Sequence, residues 1–363
     1  IRMVYRNATH FNDPASYEDA KDLVENFGVF GLFAVDLFNS IFAWVYAVEN
    51  GIPMIAPTAT YDLMFTPIAR NTFFIQPSLA AETFQMLNYA LNSNLHCWHM
   101  TVLYFAAVEE LANSTRAAIV GFGYPEPLLV SLDYASPGTF DYDMISIANA
   151  VFGNTSINYR CHVVLDAVDG MTQIVKHFHK DPRFNAEDSY FIVPSVANLP
   201  LHVDDEGSTA TFKNVFLMQA SPDPRDGEIF ASVKSYHESM ARFFATPNWQ
   251  ATIPTALVSS VDTVNYNFEA YQAYIDTRFL IEILSRMTSF TRAGMIDTVY
   301  RTKMFEIDDI VLGPYIDSCG NKFSTLPCWC NAGNKLLFTM RVVDGKARIV
   351  YDDSIFGESQ VAY

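Results

Sequence analysis

The sequence predicts an α/β fold in which mainly parallel sheets are covered by helices on both faces. Apolar runs of strand length alternate with helical segments through residues 1–221, and two long helices follow. A strong hairpin sequence lies near the carboxyl end. Strands that are apolar along their whole length are typical of parallel sheets buried on both faces. With 363 residues, half of them hydrophobic, the chain is long enough for roughly two domains.

The first segments alternate between strand and helix. Ser16 is suited to cap a helix that runs to about residue 26, and Ser78 to cap a helix over 79–91, because a serine hydroxyl can accept a hydrogen bond from a free backbone N–H group. A further helix is expected to begin after Asp36 and to end at Gly51, since glycine tolerates the left-handed conformation that ends many helices. The predicted strands of this part cover 1–6, 29–34, 52–56 and 72–76.

The middle of the chain continues the same alternation. The predicted strands of this part cover 100–105, 128–133, 162–166, 190–193 and 215–219. A helix that ends near Gly121 is predicted after the strand over 100–105, and two more helices are predicted over 142–152 and 170–179.

The pattern changes after the segment 221–224, where two prolines interrupt the chain. Two long helices are predicted over 227–245 and 267–288. Strands over 336–343 and 347–351 flank the dipeptide Asp344-Gly345, which is typical of a two-residue hairpin turn. The sequence therefore predicts an antiparallel end to the fold.

The charge balance excludes some partners. The chain has 23 Lys and Arg residues against 40 Asp and Glu, which gives a net charge of −17. Such a surface repels phosphate backbones, so we expect no nucleic-acid partner and no docking on anionic lipid. The most apolar window, 29–48, contains Asp36 and Asn39, and no membrane span is predicted within this sequence. The opening residues show no targeting peptide, and the sequence has the character of an excerpt from a longer chain.

Cysteine usage favours an oxidising compartment. Three of the five cysteines lie within twelve residues, which suggests either a zinc site or a disulfide that closes a small loop. Because no histidine follows to complete four ligands, we expect no metal and prefer a disulfide from Cys319 to Cys328 or Cys330. Three glycosylation sequons, at Asn7, Asn113 and Asn154, would suit a secreted glycoprotein.

One loop stands out as a candidate binding site. The segment 57–60 follows a predicted parallel strand, at the sheet edge where open α/β folds bind ligands. Thr58, Ala59 and Thr60 offer small side chains, hydroxyls and backbone N–H groups, and Asp36 would open toward the same crevice. An ordinary turn remains the alternative. No catalytic motif occurs, so we expect neither enzymatic activity nor a cofactor in this span.

At this loop the sequence resembles the type I periplasmic-binding-protein superfamily. The matching residues are Gly51-Ile-Pro-Met-Ile-Ala-Pro-Thr-Ala-Thr60 and Phe73-Phe-Ile-Gln-Pro-Ser78. The resemblance implies a Venus-flytrap fold of two Rossmann-like lobes, with ligand in the interlobe cleft. It implies that Thr58, Ala59 and Thr60 line the cleft from lobe one, and that Asp166 and Ser195 face them from lobe two. The implied lobe boundaries are 1–97 plus 222–300 for lobe one, and 98–221 plus 301–363 for lobe two.

Two departures from the family pattern bear on the ligand. Leu37 stands where amino-acid binders of this superfamily carry a serine for the ligand carboxylate, and Leu79 replaces an acid found in some receptors. A leucine cannot donate a hydrogen bond, and Asp36 would repel a carboxylate. We therefore expect the ligand not to be an α-amino acid.

The carboxyl-terminal segment is similar to the end of the receptor-type adenylate cyclase ectodomains of trypanosomatids. The similarity lies in 308–315, Cys319 and 328–333. It implies a non-catalytic domain that senses a small molecule on the extracellular face of the plasma membrane, at the cell surface or flagellum. It also implies a homodimer, with the membrane helix and the cyclase that makes cAMP outside this chain.

Three other functions remain open at this point. The chain could be a soluble solute-binding protein of a transport system, a structural dimerisation module with a vestigial cleft, or an enzyme of unfamiliar class. The last would require a histidine and carboxylates in hydrogen-bond geometry.

Overall fold

The structure is a computed structural model that describes part of the chain. The predicted strand over 1–6 lies outside that part, apart from Val4. The described residues are 4, 15–33, 40–57, 62–65, 68–92, 95–105, 108–133, 142–153, 157–165, 168–194, 212, 214–247, 249, 268–317, 331–334, 338–343 and 346–349.

The chain divides into two compact units. Unit 1 comprises Ile1–Ala81 and Pro222–Lys335, and unit 2 comprises Glu82–Ser221 and Leu336–Tyr363. The resemblance implies lobe one over 1–97 plus 222–300 and lobe two over 98–221 plus 301–363, and these lobe bounds stay predictions. Residues after 82 join unit 2 because Phe84 packs on Phe122 and Tyr89 packs on Phe216.

The segment 301–317 belongs to unit 1 for a similar reason. Phe305, Leu312 and Tyr315 are fully buried in the main hydrophobic core of unit 1. Burial of a large apolar side chain stabilises the folded state by about 1.5–3 kcal/mol, so these three side chains hold the segment in unit 1.

Unit 1 begins with three short parallel strands and their helices. The strands are paired in the order β1-β2-β3, as expected for strands connected by helices. They are shorter than predicted, and the one-turn helix α3 was not predicted. Ser78 caps α4 as expected, since the backbone N–H of Ala81 donates to its hydroxyl at 3.2 Å. The elements are α1 (Ala15–Glu25), β1 (Leu32–Phe33), α2 (Ser40–Glu49), β2 (Met54–Ile55), α3 (Asp62–Phe65), β3 (Thr72–Phe73) and α4 (Leu79–Asn92).

Unit 2 follows the predicted alternation closely. Its strands are almost entirely apolar, and the central strand β6 is buried at every position, which explains why it pairs in parallel on both sides. The elements are β4 (Met100–Phe105), α5 (Glu109–Gly121), β5 (Leu128–Leu132), α6 (Met144–Phe152), β6 (Cys161–Leu165), α7 (Val168–Lys180), β7 (Tyr190–Val193) and β8 (Val215–Gln219).

The chain then returns to unit 1 with helices and a small hairpin. The two long helices were predicted, whereas the third helix and the hairpin were not. Asp308 and Asp309 form the hairpin turn, and the Asp309 carboxylate accepts hydrogen bonds from the backbone N–H groups of Ala231 and Ser232. An acid at this point is favourable because a helix N-terminus carries partial positive charge. The elements are α8 (Ala231–Phe244), α9 (Phe268–Arg286), α10 (Arg292–Thr302), β9 (Phe305–Ile307) and β10 (Ile310–Leu312).

The final hairpin of β11 (Phe338–Val343) and β12 (Lys346–Ile349) completes the sheet of unit 2. The seven strands have the order β12-β11-β8-β7-β6-β4-β5, with antiparallel pairing only at β12-β11 and β11-β8. The prediction of an α/β fold with mainly parallel sheets and a terminal antiparallel hairpin is confirmed. In the described residues, no helix combines the length and the apolar character needed to cross a membrane.

A short segment, 331–334, extends the edge of the unit 1 sheet beyond β3. Phe74 pairs in parallel with Ala332, and its backbone N–H donates to the carbonyl of Asn331 at 2.9 Å. The Tyr315 hydroxyl donates to the carbonyl of Phe74 at 2.9 Å. Gly333 lies against this hydroxyl, and a Cβ at that position would meet both the hydroxyl and the Phe74 carbonyl. The absence of a side chain at Gly333 therefore allows the close packing.

A disulfide joins Cys97 and Cys161, which was not predicted. Cys161 is the first residue of β6 and lies opposite Met100, the first residue of the neighbouring β4. The disulfide therefore ties two parallel strands together at their amino ends and closes a loop over a sequence separation of 64. The predicted disulfide among Cys319, Cys328 and Cys330 lies outside the described residues.

Removal of the Cys97–Cys161 disulfide is expected to destabilise the protein. The unfolded chain gains loop entropy when the crosslink is lost, so the double variant Cys97→Ala, Cys161→Ala should lose about 2–4 kcal/mol in free energy of unfolding. Urea denaturation measures this loss, and adding a reductant to the double variant controls for the other cysteines. Equal stability of the variant and the unsubstituted protein would contradict the assignment.

Substitution of Gly333 tests the packing beside Tyr315. Gly333→Ala should lower the free energy of unfolding by about 1–3 kcal/mol, because the added methyl group forces the tyrosine or the strand bridge to move. Gly121→Ala is the matched control, since Gly121 ends α5 with open space around it and should tolerate the methyl group. Thermal denaturation of both variants measures the effect, and equal melting temperatures of Gly333→Ala and Gly121→Ala would argue against the close packing.

Candidate functional site

The candidate site lies at the carboxyl edge of β2 and β3, within unit 1. Ala56 follows β2 directly, and its backbone N–H donates to the carbonyl of Phe73 at 2.8 Å. Ala56 is buried and has a φ of 52°, a left-handed conformation that few non-glycine residues adopt. The chain therefore turns sharply as it leaves the strand, and Pro57 follows at the start of the loop selected from the sequence.

Helix α9 supplies two polar side chains of this edge, Gln272 and Asp276. Its apolar positions Tyr271, Ile275, Phe279 and Ile283 recur at a spacing of four residues and are buried in the core of unit 1. Asp276 follows Ile275 and is equally buried, with 3% of its surface exposed. The packing of the apolar face therefore carries this carboxyl into the interior.

A small, partly open cavity of about 10 Å³ lies between the helix and the sheet edge. This volume is about that of a single water-sized group. The lining combines apolar groups from the sheet edge with the polar ends of three side chains. The lining residues are Ala56, Pro57, Ile75, Gln76, Gln272 and Asp276.

The Asp276 carboxyl is only partly satisfied by hydrogen bonds. Its Oδ1 accepts a hydrogen bond from Nε2 of Gln272 at 2.7 Å. Among the described residues, Oδ2 has no hydrogen-bond partner and the carboxyl makes no ion pair. Burial raises the pKa of Asp276 to about 7, because the charged form loses its hydration, and the Gln272 hydrogen bond opposes this rise only in part.

Tyr315 is the ionisable neighbour of Asp276. Burial raises the pKa of the Tyr315 phenol well above its usual value, and the negative charge of Asp276 raises it further. The phenol therefore stays neutral, and its proton is engaged with the carbonyl of Phe74. Tyr315 therefore adds no second negative charge beside Asp276.

The ligand-contact residues predicted from the sequence all lie outside the described residues. Described stretches of the chain end at Phe33, Pro57, Leu165 and Pro194. Each predicted contact residue lies shortly after one of these four ends. Their roles stay predictions. These residues are Asp36, Thr58, Ala59, Thr60, Asp166 and Ser195.

Asp276 and Gln272 were missed in the sequence. The available indication was an acid on the buried side of an otherwise apolar helix face, one turn after an amide at Gln272. Buried acids are rare unless they are paired, so such a position marks a candidate site.

A second pocket lies in unit 2, and its acids Asp133 and Asp143 already make hydrogen bonds within the protein. Asp143 caps α6 by accepting from the backbone N–H of Ser146 at 3.1 Å, and Asp133 accepts from the Ser131 hydroxyl at 3.1 Å. Within the described ranges, no group of three or more His, Cys, Asp or Glu side chains could hold a metal ion. These acids therefore give no second candidate site.

Comparison with known proteins identifies the fold. No family model matches the sequence, and no curated protein matches it. Solved structures do match. The leucine-binding protein LivK of Thermotoga maritima has a TM-score of 0.68 at 12% identity, over 93% of this chain and 84% of that one.

Two further matches agree with this result. A possible leucine/isoleucine/valine-binding protein of Rhodopirellula baltica has a TM-score of 0.68 at 11% identity, over 95% of this chain and 84% of that chain. An extracellular ligand-binding receptor of Verminephrobacter eiseniae has a TM-score of 0.63 at 13% identity, over 93% and 85% of the two chains. The chain has the fold of the type I periplasmic binding proteins. Identities this low show the fold alone.

The raised pKa of Asp276 makes a prediction about stability against pH. Because the folded pKa of about 7 exceeds the unfolded value of about 3.9, the folded state binds the proton more tightly. The contribution of Asp276 to stability is therefore fully present below about pH 4 and is lost as pH rises to about 7. Three pKa units correspond to roughly 4 kcal/mol as an upper bound.

Urea denaturation of Asp276→Asn across this pH range tests the prediction. From pH 4 to 7 the free energy of unfolding of the unsubstituted protein should fall relative to that of Asp276→Asn, because only the unsubstituted protein has to ionise this carboxyl or keep it protonated. Asp297→Asn, at an exposed acid of α10, is the matched control variant. Parallel stability curves for Asp276→Asn and the unsubstituted protein would show that the carboxyl titrates normally.

Proposed function

We propose that this chain is a non-catalytic domain that binds a small molecule at the carboxyl edge of β2 and β3. The observation that carries the proposal is the buried Asp276 carboxyl, whose Oδ2 lacks a partner among the described residues and which lines a cavity beside Pro57. In open α/β folds, ligands bind outside the carboxyl ends of the strands. A buried polar group that the protein leaves partly unsatisfied is suited to a ligand.

The loop after Pro57 provides the remaining contacts in this proposal. Thr58 and Thr60 would offer hydroxyls, and Ala59 a backbone N–H group, next to the cavity. Asp36, Asp166 and Ser195 stay proposed contacts, because each follows a strand of a parallel sheet. Small side chains in the loop would let a ligand approach the backbone closely.

The finer proposal is a sensing domain of a membrane receptor of the receptor adenylate cyclase type. It is supported by the resemblance of 308–315 and 328–333 to the trypanosomatid ectodomains. A ligand with different affinity for two conformations would shift their populations and thereby act on an attached domain. In this proposal the domain forms a homodimer on the extracellular face of the plasma membrane, and segments outside this chain attach it to the membrane.

A soluble solute-binding protein of a transport system is a second candidate that the fold supports equally. The solved structures with the same fold include proteins named as ABC transporter components, among them one from Thermus thermophilus with bound valine. Both candidates bind a small molecule at the same kind of site. They differ in what the domain is attached to.

A location outside the cytoplasm is part of both proposals. The Cys97–Cys161 disulfide supports it, because disulfides persist mainly in oxidising compartments. The sequon residue Asn113 is exposed on α5, which would leave room for a glycan.

A ligand screen by thermal denaturation tests the proposed function. Pools of amino acids, amines, sugars and nucleotides are added in turn, and a ligand at about 100 times its Kd should stabilise the folded state by about 2.7 kcal/mol. The double variant Thr58→Val, Thr60→Val should lose most of that shift, because it removes both hydroxyls with little change in shape.

Thr277→Val is the matched control for this screen. Thr277 is exposed on α9, and its hydroxyl donates to the carbonyl of Ala273 within the same helix. Thr277→Val should therefore keep the full stabilisation by the ligand. Failure of every pool to stabilise the protein, or equal shifts in the loop variant, would count against binding at this edge.

A further inference from the structure

The cavity beside Asp276 bears on the chemical class of the ligand. We propose that Asp276, with Gln272 and Gln76, binds the primary ammonium group of an amine ligand. This inference rests on the proposed function, since it concerns the same edge of the unit 1 sheet.

The size of the cavity favours this group. A volume of about 10 Å³ holds one water-sized group, and a primary ammonium has that size. A guanidinium group has four heavy atoms in a plane and needs more space. The cavity is partly open, so the rest of the ligand would extend out of it.

The hydrogen-bonding groups also match an ammonium. An ammonium group at the end of a chain donates three hydrogen bonds and accepts none. The lining offers three side chains with acceptor oxygens, which are the carboxylate of Asp276 and the amides of Gln272 and Gln76. Because Gln272 donates to Oδ1 of Asp276 through Nε2, its own amide oxygen and the Asp276 Oδ2 remain available.

The charge of the cavity points the same way. Asp276 makes no ion pair among the described residues, and Tyr315, its ionisable neighbour, stays neutral. A carboxylate or phosphate ligand would face an unbalanced negative charge in a poorly hydrated space, whereas a cation would supply the missing partner. This agrees with the sequence departures at Leu37 and Leu79, which argue against recognition of a ligand carboxylate.

Binding of an ammonium should be coupled to the protonation of Asp276. The cation favours the ionised carboxyl, so binding below pH 7 must release the proton that burial retains. With a pKa of about 7, roughly one tenth of the free protein is ionised at pH 6 and roughly nine tenths at pH 8. The affinity for a permanently protonated amine should therefore fall about tenfold from pH 8 to pH 6.

Titration calorimetry with simple probes tests the inference. The probes are 1-butylamine and 1,4-diaminobutane, which stay protonated at both pH values, with 1-butanol and butyrate as neutral and anionic counterparts. The amines should bind the unsubstituted protein and Asp297→Asn at pH 8, and bind about tenfold more weakly at pH 6. Asp276→Asn should lose amine binding, since the amide cannot balance the charge.

Gln76→Leu keeps the test decisive if Asp276→Asn does not fold. It removes one acceptor from the lining of the cavity and should weaken amine binding by about tenfold, in line with loss of a charge-assisted hydrogen bond. Circular dichroism of each variant shows whether the fold is retained.

The outcomes separate this inference from the proposed function. Any of three results would overturn the ammonium site. Butanol or butyrate could bind as tightly as the amines, or neither amine could bind. Amine binding could also stay intact in Asp276→Asn or Gln76→Leu. If the ligand screen still finds a compound whose binding needs Thr58 and Thr60, the proposed function stands and only the ligand class is wrong. If the screen also finds nothing, both fail.

Discussion

The burial of the Asp276 carboxyl sets the chemistry at the carboxyl edge of β2 and β3. A carboxyl that is 3% exposed, with one amide donor from Gln272, is costly to ionise. Asp276 lines a cavity beside the sheet edge that offers space for another group. A buried acid and a cavity thus lie together at the strand ends of unit 1. The proposed binding of a small molecule rests on this arrangement.

The packing around α9 keeps the carboxyl in place. Phe279 stacks on Tyr315 with ring centroids 5.4 Å apart, and the Tyr315 hydroxyl holds the Phe74 carbonyl beyond the end of β3. The helix, the edge of the sheet and the segment 331–334 are therefore linked through a single buried ring. A shift of α9 would expose apolar surface in this cluster, so Asp276 cannot leave the interior without loss of core contacts.

Much of the fold could be predicted from the sequence, because apolar runs with clear ends define the strands of unit 2. The predicted strands over 100–105, 190–193 and 215–219 agree with β4, β7 and β8 at both ends. The hairpin β9-β10 was missed because its strands have three residues each and form only against the core, while Asp308-Asp309 resembles a solvated acidic pair. The Cys97–Cys161 disulfide and the Asp276 cavity depend on contacts between distant segments, which local patterns do not contain. The loop residues after Pro57 were selected from their place after a predicted parallel strand and from the resemblance, and their role stays a prediction.

The protonation of Asp276 can be measured directly by its own titration. The side-chain carboxyl of aspartate can be labelled with ¹³C and followed by NMR from pH 3 to 9, with the Asp276 resonance assigned by its loss in Asp276→Asn. We expect a midpoint at about pH 7 for this resonance, well above those of exposed aspartates. A midpoint near pH 4 would show that the carboxyl is hydrated or already paired with a cation of the protein, and Asp276 would then not be a buried acid without a charged partner.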